Sequence, residues 1–387
     1  MSFIIKKNEL GQFDTPVQIA TSVMSNISYN YDFFVDLGAG LGNLSSLFHG
    51  EKGIMVELDE DRYSYLKSSK NRNISVINKD VLSEDLFLKE MVGESSVLFL
   101  SNPPFNRKNT GYEFKYFYSL NNGSFFHQLD IAFLDKTLAS KTSTSSIVFI
   151  VSAPFVESEK YAMERDKFVK EFQSLEIISL DIRTFTSAEV QSYVLIAHPF
   201  SGSLSKKILL KKMNLKGDII DEISIDESLA KNSLSYLYHK EIQDIRLTVG
   251  KGCKILKDFD VSLVRGSQTR KYFDDLGKKF IHTTDLVDQF LYLDNEFKTD
   301  NLYSYAESND ILISRVGRRS LARESLVKEG GNIFTESIFR LKTKSQDNQL
   351  IWNSISSDIG KKWRELHAQG KCAKYLTRNA ILNIPIL

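Results

Sequence analysis

Phe34-Val-Asp-Leu-Gly-Ala-Gly-Leu-Gly-Asn43 is the stretch on which the reading of this 387-residue chain turns. A short apolar run passes through Asp36, and three alternating glycines, Gly38, Gly40 and Gly42, then fill a turn leading into a helix. Glycine suits such a turn because a side chain would hold the backbone away from a ligand, and some turn positions require positive φ. Downstream, Gly53 to Val56, Ile74 to Ile77, Val97 to Leu100 and Ile147 to Val151 are each short enough to be buried strands. Amphipathic segments of helical length, such as Asp59 to Lys67, Phe126 to Leu138 and Glu159 to Phe172, lie between most of them. Strand and helix in alternation predict an α/β fold with a doubly wound, Rossmann-like sheet, which Ile177 to Ile182 and Val190 to Ala197 would extend.

Upstream of this pattern, Thr15-Pro16 followed by Val17, Ile19, Ala20, Val23, Met24 and Ile27 reads as a helix with Thr as its cap and Pro at its first position. Beyond Phe200 the rhythm is lost in Ser-Gly-Ser-Leu-Ser-Lys-Lys, and a connecting region is expected to about Leu237. A second, strand-rich α+β domain is expected after it, from Val261 to Val264, Phe280 to Ile281, Ile311 to Val316 and Ser337 to Leu341, closed by a helix near Leu350 to His367. The predicted domains are 1–235 and 236–387. Trp352 and Trp363 are expected in the core, and His282 in a structural role.

The formal net charge of +1 hides an asymmetry: residues 240–387 carry 25 Lys and Arg against 19 Asp and Glu, a formal +6, leaving −5 for residues 1–239. A basic C-terminal part suits a polyanionic partner. No apolar run reaches the roughly 18 residues of a membrane span, and Met1 to Leu10 lacks the order of a signal peptide, so a soluble, cytoplasmic protein with no membrane partner is expected. Cys253 and Cys372 form no Cys-x-x-Cys pair and the histidines are scattered, so neither a disulfide framework nor a metal site is expected.

Glu57 ends the second strand, 19 residues after Gly38, where a carboxylate can accept both hydroxyls of a ribose. Asp80, after the third strand, can bond an adenine amino group of the same ligand. Asp36, the glycines, Glu57 and Asp80 at successive strand ends therefore point to an adenosine-containing cofactor. The fourth strand runs straight into Ser101-Asn102-Pro103-Pro104-Phe105, at the carboxyl edge of the sheet and facing the same crevice. Two prolines there can merely end a strand. Asn-Pro-Pro-aromatic has a chemical use as well: the Asn102 side-chain oxygen and the Pro103 carbonyl both accept from an amino group conjugated to a ring. Those bonds draw the nitrogen lone pair out of conjugation, and Phe105 offers a flat face for stacking.

Gly11-Gln-Phe-Asp-Thr-Pro16, Asp36 to Gly42, Glu57, Asp80 and Asn102 to Phe105 together resemble the successive motifs of the gamma class of amino-methyltransferases. The resemblance covers about the first 200 residues. It implies S-adenosylmethionine as methyl donor, with Thr15 and Pro16 covering its methionine end, and a flipped-out adenine methylated at N6 as substrate. It also implies a second aromatic against the base, for which Phe185 in Arg183-Thr-Phe-Thr-Ser-Ala-Glu-Val190 is the best match. Val264-Arg-Gly266, Phe280 to Leu286, Asn309 to Gly317, Glu336-Ser-Ile338 and Ile384-Pro-Ile386 resemble one target-recognition domain of type I restriction specificity subunits, which carry two. That likeness implies double-stranded DNA as partner, within a restriction-modification system. Arg315, Arg318, Arg319 and Arg323 are expected to cluster in one basic loop after the predicted strand, and with Arg265 to contact phosphates or read guanine edges. A fused nuclease is not expected, since about ten residues precede the Thr-Pro segment, so any cognate endonuclease acts separately. Alternatives are methylation of cytosine N4, an RNA adenine or a protein glutamine, or a non-catalytic DNA-specificity protein.

Overall fold

The computed structural model describes residues 13–25, 27, 31–48, 52–69, 72–123, 125–185, 190–200, 205–250, 252–295, 302–317, 319–370 and 374–387. The chain divides into two compact units, Met1–His239 and Lys240–Leu387, with the boundary inside the helix Tyr236–Val249.

The first unit is built on β1 (Phe33–Leu37), β2 (Gly53–Glu57), β3 (Ile74–Asn78), β4 (Val97–Ser101), β5 (Arg107–Asn109), β6 (Phe126–Gln128), β7 (Ser146–Ser152), β8 (Ser174–Ser179), β9 (Ser192–His198), β10 (Lys207–Met213) and β11 (Ile219–Ser224). Nine of these form one sheet in the order β11-β10-β8-β9-β7-β4-β1-β2-β3, while β5 and β6 pair separately. The run from β3 to β7 is parallel, and β9 lies antiparallel to both β7 and β8. Strands β4 and β7 are buried at every residue, as covering both faces of a parallel sheet demands. Successive residues of one strand serve opposite faces: Val35, Leu37 and Phe99 join one apolar cluster, and Phe34, Leu98 and Leu100 the other. Strand order reverses between β1 and β4, which places the crevice outside their carboxyl ends, where Gly38 and Asn102 follow.

Three boundaries differ from the sequence reading. The helix expected from Phe126 begins at Leu129, because residues 126–128 pair with β5 and Leu129 N–H donates to the Asn106 carbonyl at 3.0 Å. The helix expected over Glu159 to Phe172 splits into a 3-10 turn, Glu159–Tyr161, and Ala162–Lys170. The expected connection after Phe200 instead supplies β10 and β11, which extend the sheet; Ile208 and Leu210 join one apolar cluster and Met213 the other, and the register shifts between Lys212 and Met213 so that Ile220 of β11 is left without a partner in the ladder.

The second unit holds β12 (Val261–Arg265), β13 (Phe290–Asn295), β14 (Tyr305–Glu307), β15 (Ile311–Ser314), β16 (Glu324–Ile333) and β17 (Ile338–Thr343), in the order β12-β17-β15-β16-β13 with β14 paired to β16. Strands β13, β14 and β16 were not foreseen. The expected run at Phe280 and Ile281 makes only an isolated bridge, Ile281 to Phe334. The closing helix is two helices, Ser345–Ser356 and Asp358–Leu366, broken at Ser357, whose hydroxyl accepts from Gly360 N–H at 3.1 Å. Trp352 is buried in the core, and the half-buried Trp363 donates its indole N–H to the Ala380 carbonyl. His282 bonds Thr335 at 2.8 Å. Arg364, fully buried, pairs with the Glu324 carboxylate. Among the described residues no helix is long and apolar enough to cross a membrane, and no cluster of His, Cys, Asp and Glu has the form of a metal site.

Candidate active site

A cavity of about 240 Å³ opens at the carboxyl ends of β1, β2, β3 and β4. Asp36, Gly38, Gly40, Glu57, Asp80, Thr15 and Asn102 all line it, together with Pro104. Gly42, Pro16, Pro103 and Phe105 stand outside its lining. The glycine turn takes φ of 70° at Gly38, 59° at Gly40 and 75° at Gly42, a region closed to most side chains. At Gly40 a Cβ would also lie 3.0 Å from the Arg62 guanidinium and 3.1 Å from the Asp14 carboxylate, so the turn is shaped by close approach as well.

Glu57 is 1% exposed, and its two oxygens accept from Gly40 N–H at 2.7 Å and Asp59 N–H at 2.8 Å. Burial raises its pKa above the ordinary glutamate value, against the pull of those backbone donors and of Arg62. Asp80 accepts from Leu82 N–H at 2.9 Å, which folds the loop after β3 so that Val81 and Leu82 line the cavity. Leu58, Leu129 and Phe133 add further apolar wall. Carboxylates at successive strand ends and an apolar wall fit the ribose and adenine of a nucleoside cofactor, and the bare backbone of the glycine turn permits its close approach.

The segment before the first helix is tied down at three points. Asp14 pairs with Arg62 at 2.8 Å, Asn43 donates to the Thr15 carbonyl at 2.8 Å, and the Asn102 amide nitrogen donates to Phe13 O at 2.6 Å and Thr15 Oγ1 at 2.9 Å. Thr15 therefore does not serve as the expected helix cap: the helix is Val17–Ser25, Pro16 O accepts its first bond from Ala20 N–H, and the Thr15 hydroxyl faces Asn102. With both amide hydrogens engaged, Asn102 presents Oδ1 as its remaining polar atom. Among the described residues no donor reaches Asn102 Oδ1 or the Pro103 carbonyl. The Ser101 hydroxyl donates to Leu37 O at 2.6 Å and pins the start of this loop to β1.

Phe105 and Phe185 are brought together, with ring centroids 5.8 Å apart at 80°. Phe13 completes a trio, 6.3 Å from Phe105 and 6.1 Å from Phe185. Phe13 was not singled out from the sequence; its neighbours in the Thr-Pro segment were the only available signal. Both Phe105 and Phe185 are buried, at 7% and 4% exposure, by their contacts within this cluster.

In the second unit the described arginines do not form one cluster. Arg315 and Arg265 meet at Glu336, Arg323 donates to the Thr283 carbonyl at 3.4 Å, and Arg319 is exposed. Arg318 lies outside the described residues.

No protein-family model matches the sequence, and no curated protein matches it. Among solved structures, the type IIG restriction endonuclease BpuSI aligns over 97% of this chain and 59% of its own at 15% identity, with a TM-score of 0.51. A type I restriction-modification methyltransferase subunit from Streptococcus thermophilus aligns over 53% of this chain and 48% of its own at 17% identity, TM-score 0.40. A putative class I S-adenosylmethionine-dependent methyltransferase from Listeria monocytogenes aligns over 56% and 69% at 17% identity, TM-score 0.42. The chain thus spans about three fifths of the length of BpuSI, and at 15% identity the likeness is one of fold: a doubly wound α/β sheet followed by a strand-rich second unit.

Proposed function

We propose that the protein is an S-adenosylmethionine-dependent DNA methyltransferase acting on N6 of a flipped-out adenine, in a restriction-modification setting. One observation carries this reading: Asn102, in the wall of a cavity suited to a nucleoside, has both amide hydrogens committed to Phe13 O and Thr15 Oγ1, so its oxygen remains as an acceptor, with the carbonyl of Pro103, next in the chain, as a second. An exocyclic amine has two N–H donors and a lone pair delocalised into its ring. Accepting from both hydrogens localises that lone pair and makes the nitrogen nucleophilic. Asp36, Glu57 and Asp80 would hold the cofactor, with Thr15 and Pro16 beside its methionine end. When bound, it supplies an electrophilic methyl group on a sulfonium. Phe105 and Phe185 would stack on the base once it has left the duplex, separating from each other to admit it. The basic second unit would bind the duplex, with the arginines at Arg265, Arg315, Arg319 and Arg323 as contacts and Arg318 beside them in sequence.

Support for the setting comes from the likeness of fold to BpuSI, a type IIG restriction endonuclease. The test is incubation of the full chain with tritiated S-adenosylmethionine and unmethylated genomic DNA, followed by digestion to nucleosides. Label in N6-methyladenine is the expected outcome. Label in N4-methylcytosine would correct the base, and no label in DNA, with label in RNA or protein supplied in parallel reactions, would replace the substrate.

A further inference from the structure

Strand order in the second unit gathers three charged side chains that lie far apart in sequence. Strand β17 lies between β12 and β15 and runs antiparallel to both, so the ends of β12 and β15 flank its start. Arg265 ends β12, Arg315 follows β15, and Glu336 stands two residues before β17. The Glu336 carbonyl accepts from Arg315 Nε at 2.8 Å and from Arg265 Nε at 3.3 Å, and its carboxylate pairs with Arg265 Nη2. The backbone around them is locked: Glu336 N–H donates to Gln268 O and Arg315 N–H to Ser337 O, each at 2.8 Å. At Gly266 the chains approach so closely that a Cβ would lie 2.1 Å from the Thr335 carbonyl.

We propose that this pair of arginines held by Glu336 reads a guanine–cytosine pair in the DNA target, with Arg315 donating to the guanine. The inference rests on the reading of the chain as a DNA methyltransferase. Its first support is orientation. With Nε spent on a carbonyl, the outer edge of the Arg315 guanidinium remains, and among the described residues nothing bonds its Nη atoms. Two parallel donors on a fixed plane match O6 and N7 of guanine in the major groove. The second support is charge. Two arginines and one carboxylate net +1, a poor design for a phosphate, which any unaccompanied cation serves. A guanine–cytosine pair presents two acceptors and one amino donor in that groove, and guanidinium with carboxylate complements that pattern. The third is accessibility: the Arg265 side chain is 49% and the Glu336 side chain 34% exposed, and Arg315, following β15, is half-buried, so a base edge can reach the junction.

The test is selection of duplexes from a randomised pool by the full chain with S-adenosylhomocysteine, comparing wild type with Arg315→Lys and Glu336→Gln. Wild type is expected to select sequences sharing one invariant guanine–cytosine pair. Arg315→Lys keeps the charge and loses the fork, and should relax that position about 5- to 150-fold while leaving the others intact. Glu336→Gln keeps the main-chain carbonyl that holds Arg315 and removes the charge that pairs with Arg265 and complements the cytosine amine, and should relax the same base pair. The inference is overturned if wild type selects no fixed guanine, or if either variant weakens binding equally at every sequence, as loss of a phosphate contact does. Methyl transfer is measured on the same preparations. A fixed guanine without transfer sinks the proposed activity alone, whereas transfer with unchanged preferences in both variants sinks the reader alone.

Discussion

Replacing Thr15 by valine isolates the contact on which the catalytic reading depends. The side chain is 4% exposed and valine is nearly isosteric, so packing is preserved while the acceptor 2.9 Å from Asn102 Nδ2 is removed. The bond from Nδ2 to Phe13 O at 2.6 Å survives and still disfavours the flipped amide, whose oxygen would then face a carbonyl. The loss is one neutral hydrogen bond, about 0.5–1.5 kcal/mol of preorganisation. That corresponds to a fall in kcat of about 2- to 13-fold. Steady-state assays varying S-adenosylmethionine and DNA separately should show this loss in kcat, with KM for the cofactor little changed, and Thr15→Ser should restore it. Unchanged kcat with a raised cofactor KM would refute the reasoning, for it would mean that the Thr15 hydroxyl serves the cofactor and not Asn102.

Asn102→Ala should abolish methyl transfer while calorimetry still detects cofactor binding; near-normal turnover would remove Asn102 from the chemistry. Glu57→Gln should weaken cofactor binding by about 10-fold or more, from the loss of a charged acceptor. Because burial raises the Glu57 pKa in the fold, the folded state favours the protonated acid, and stability is lost as pH rises through that raised pKa. The Tm difference between wild type and Glu57→Gln without cofactor should therefore shift against wild type with rising pH above about 4.5, and a flat difference would contradict the burial argument. His198, buried beside Ser146, has its pKa lowered to about 4 by desolvation. Its contribution is present above about pH 6.5 and lost as pH falls toward 4. Acid unfolding monitored by circular dichroism should occur at lower pH in His198→Gln than in wild type, relative to each protein's stability at neutral pH, and an equal or higher midpoint would contradict the desolvation argument. Glu324→Ala strands the buried Arg364 guanidinium and should cost about 3–5 kcal/mol in urea unfolding.

The sheet of the first unit was legible because its code is local. Each of β1, β2, β3, β4 and β7 is a short apolar run bounded by turn residues, and Asp36, Glu57, Asp80 and Asn102 follow from where those runs end. What was missed is what local pattern does not carry. Strand β16 contains Lys328, Glu329, Gly330 and Gly331, which argue against a strand until β13, β14 and β15 are present to pair with it. Strand β10 lies inside the sheet between β8 and β11, and β11 is the edge, exposed along most of its length; a polar stretch before them and a shift in their mutual register kept both out of the local pattern. Thr15 is instructive in another way: the Ser/Thr preference at helix caps is real, yet here a partner 87 residues away claims the hydroxyl.

The same distinction explains why the Glu336 junction yields less to sequence than the crevice of the first unit. A crevice at a strand switch point is assembled from residues at strand ends, and strand ends can be counted. The Glu336 junction depends on β17 being inserted between β12 and β15, an order that no spacing in the chain encodes. Read as a run, Arg315, Arg318, Arg319 and Arg323 suggested one basic loop. In the fold, the contact partner of Arg315 is 21 residues downstream, and the arginine beside it comes from a strand 50 residues upstream. A charge-reversing change at Arg319 should therefore lower DNA affinity without altering sequence preference, since an exposed arginine off the junction acts through phosphates alone. Arg315 should do the reverse. If the two behave alike in the duplex selection, the junction is not where the bases are read.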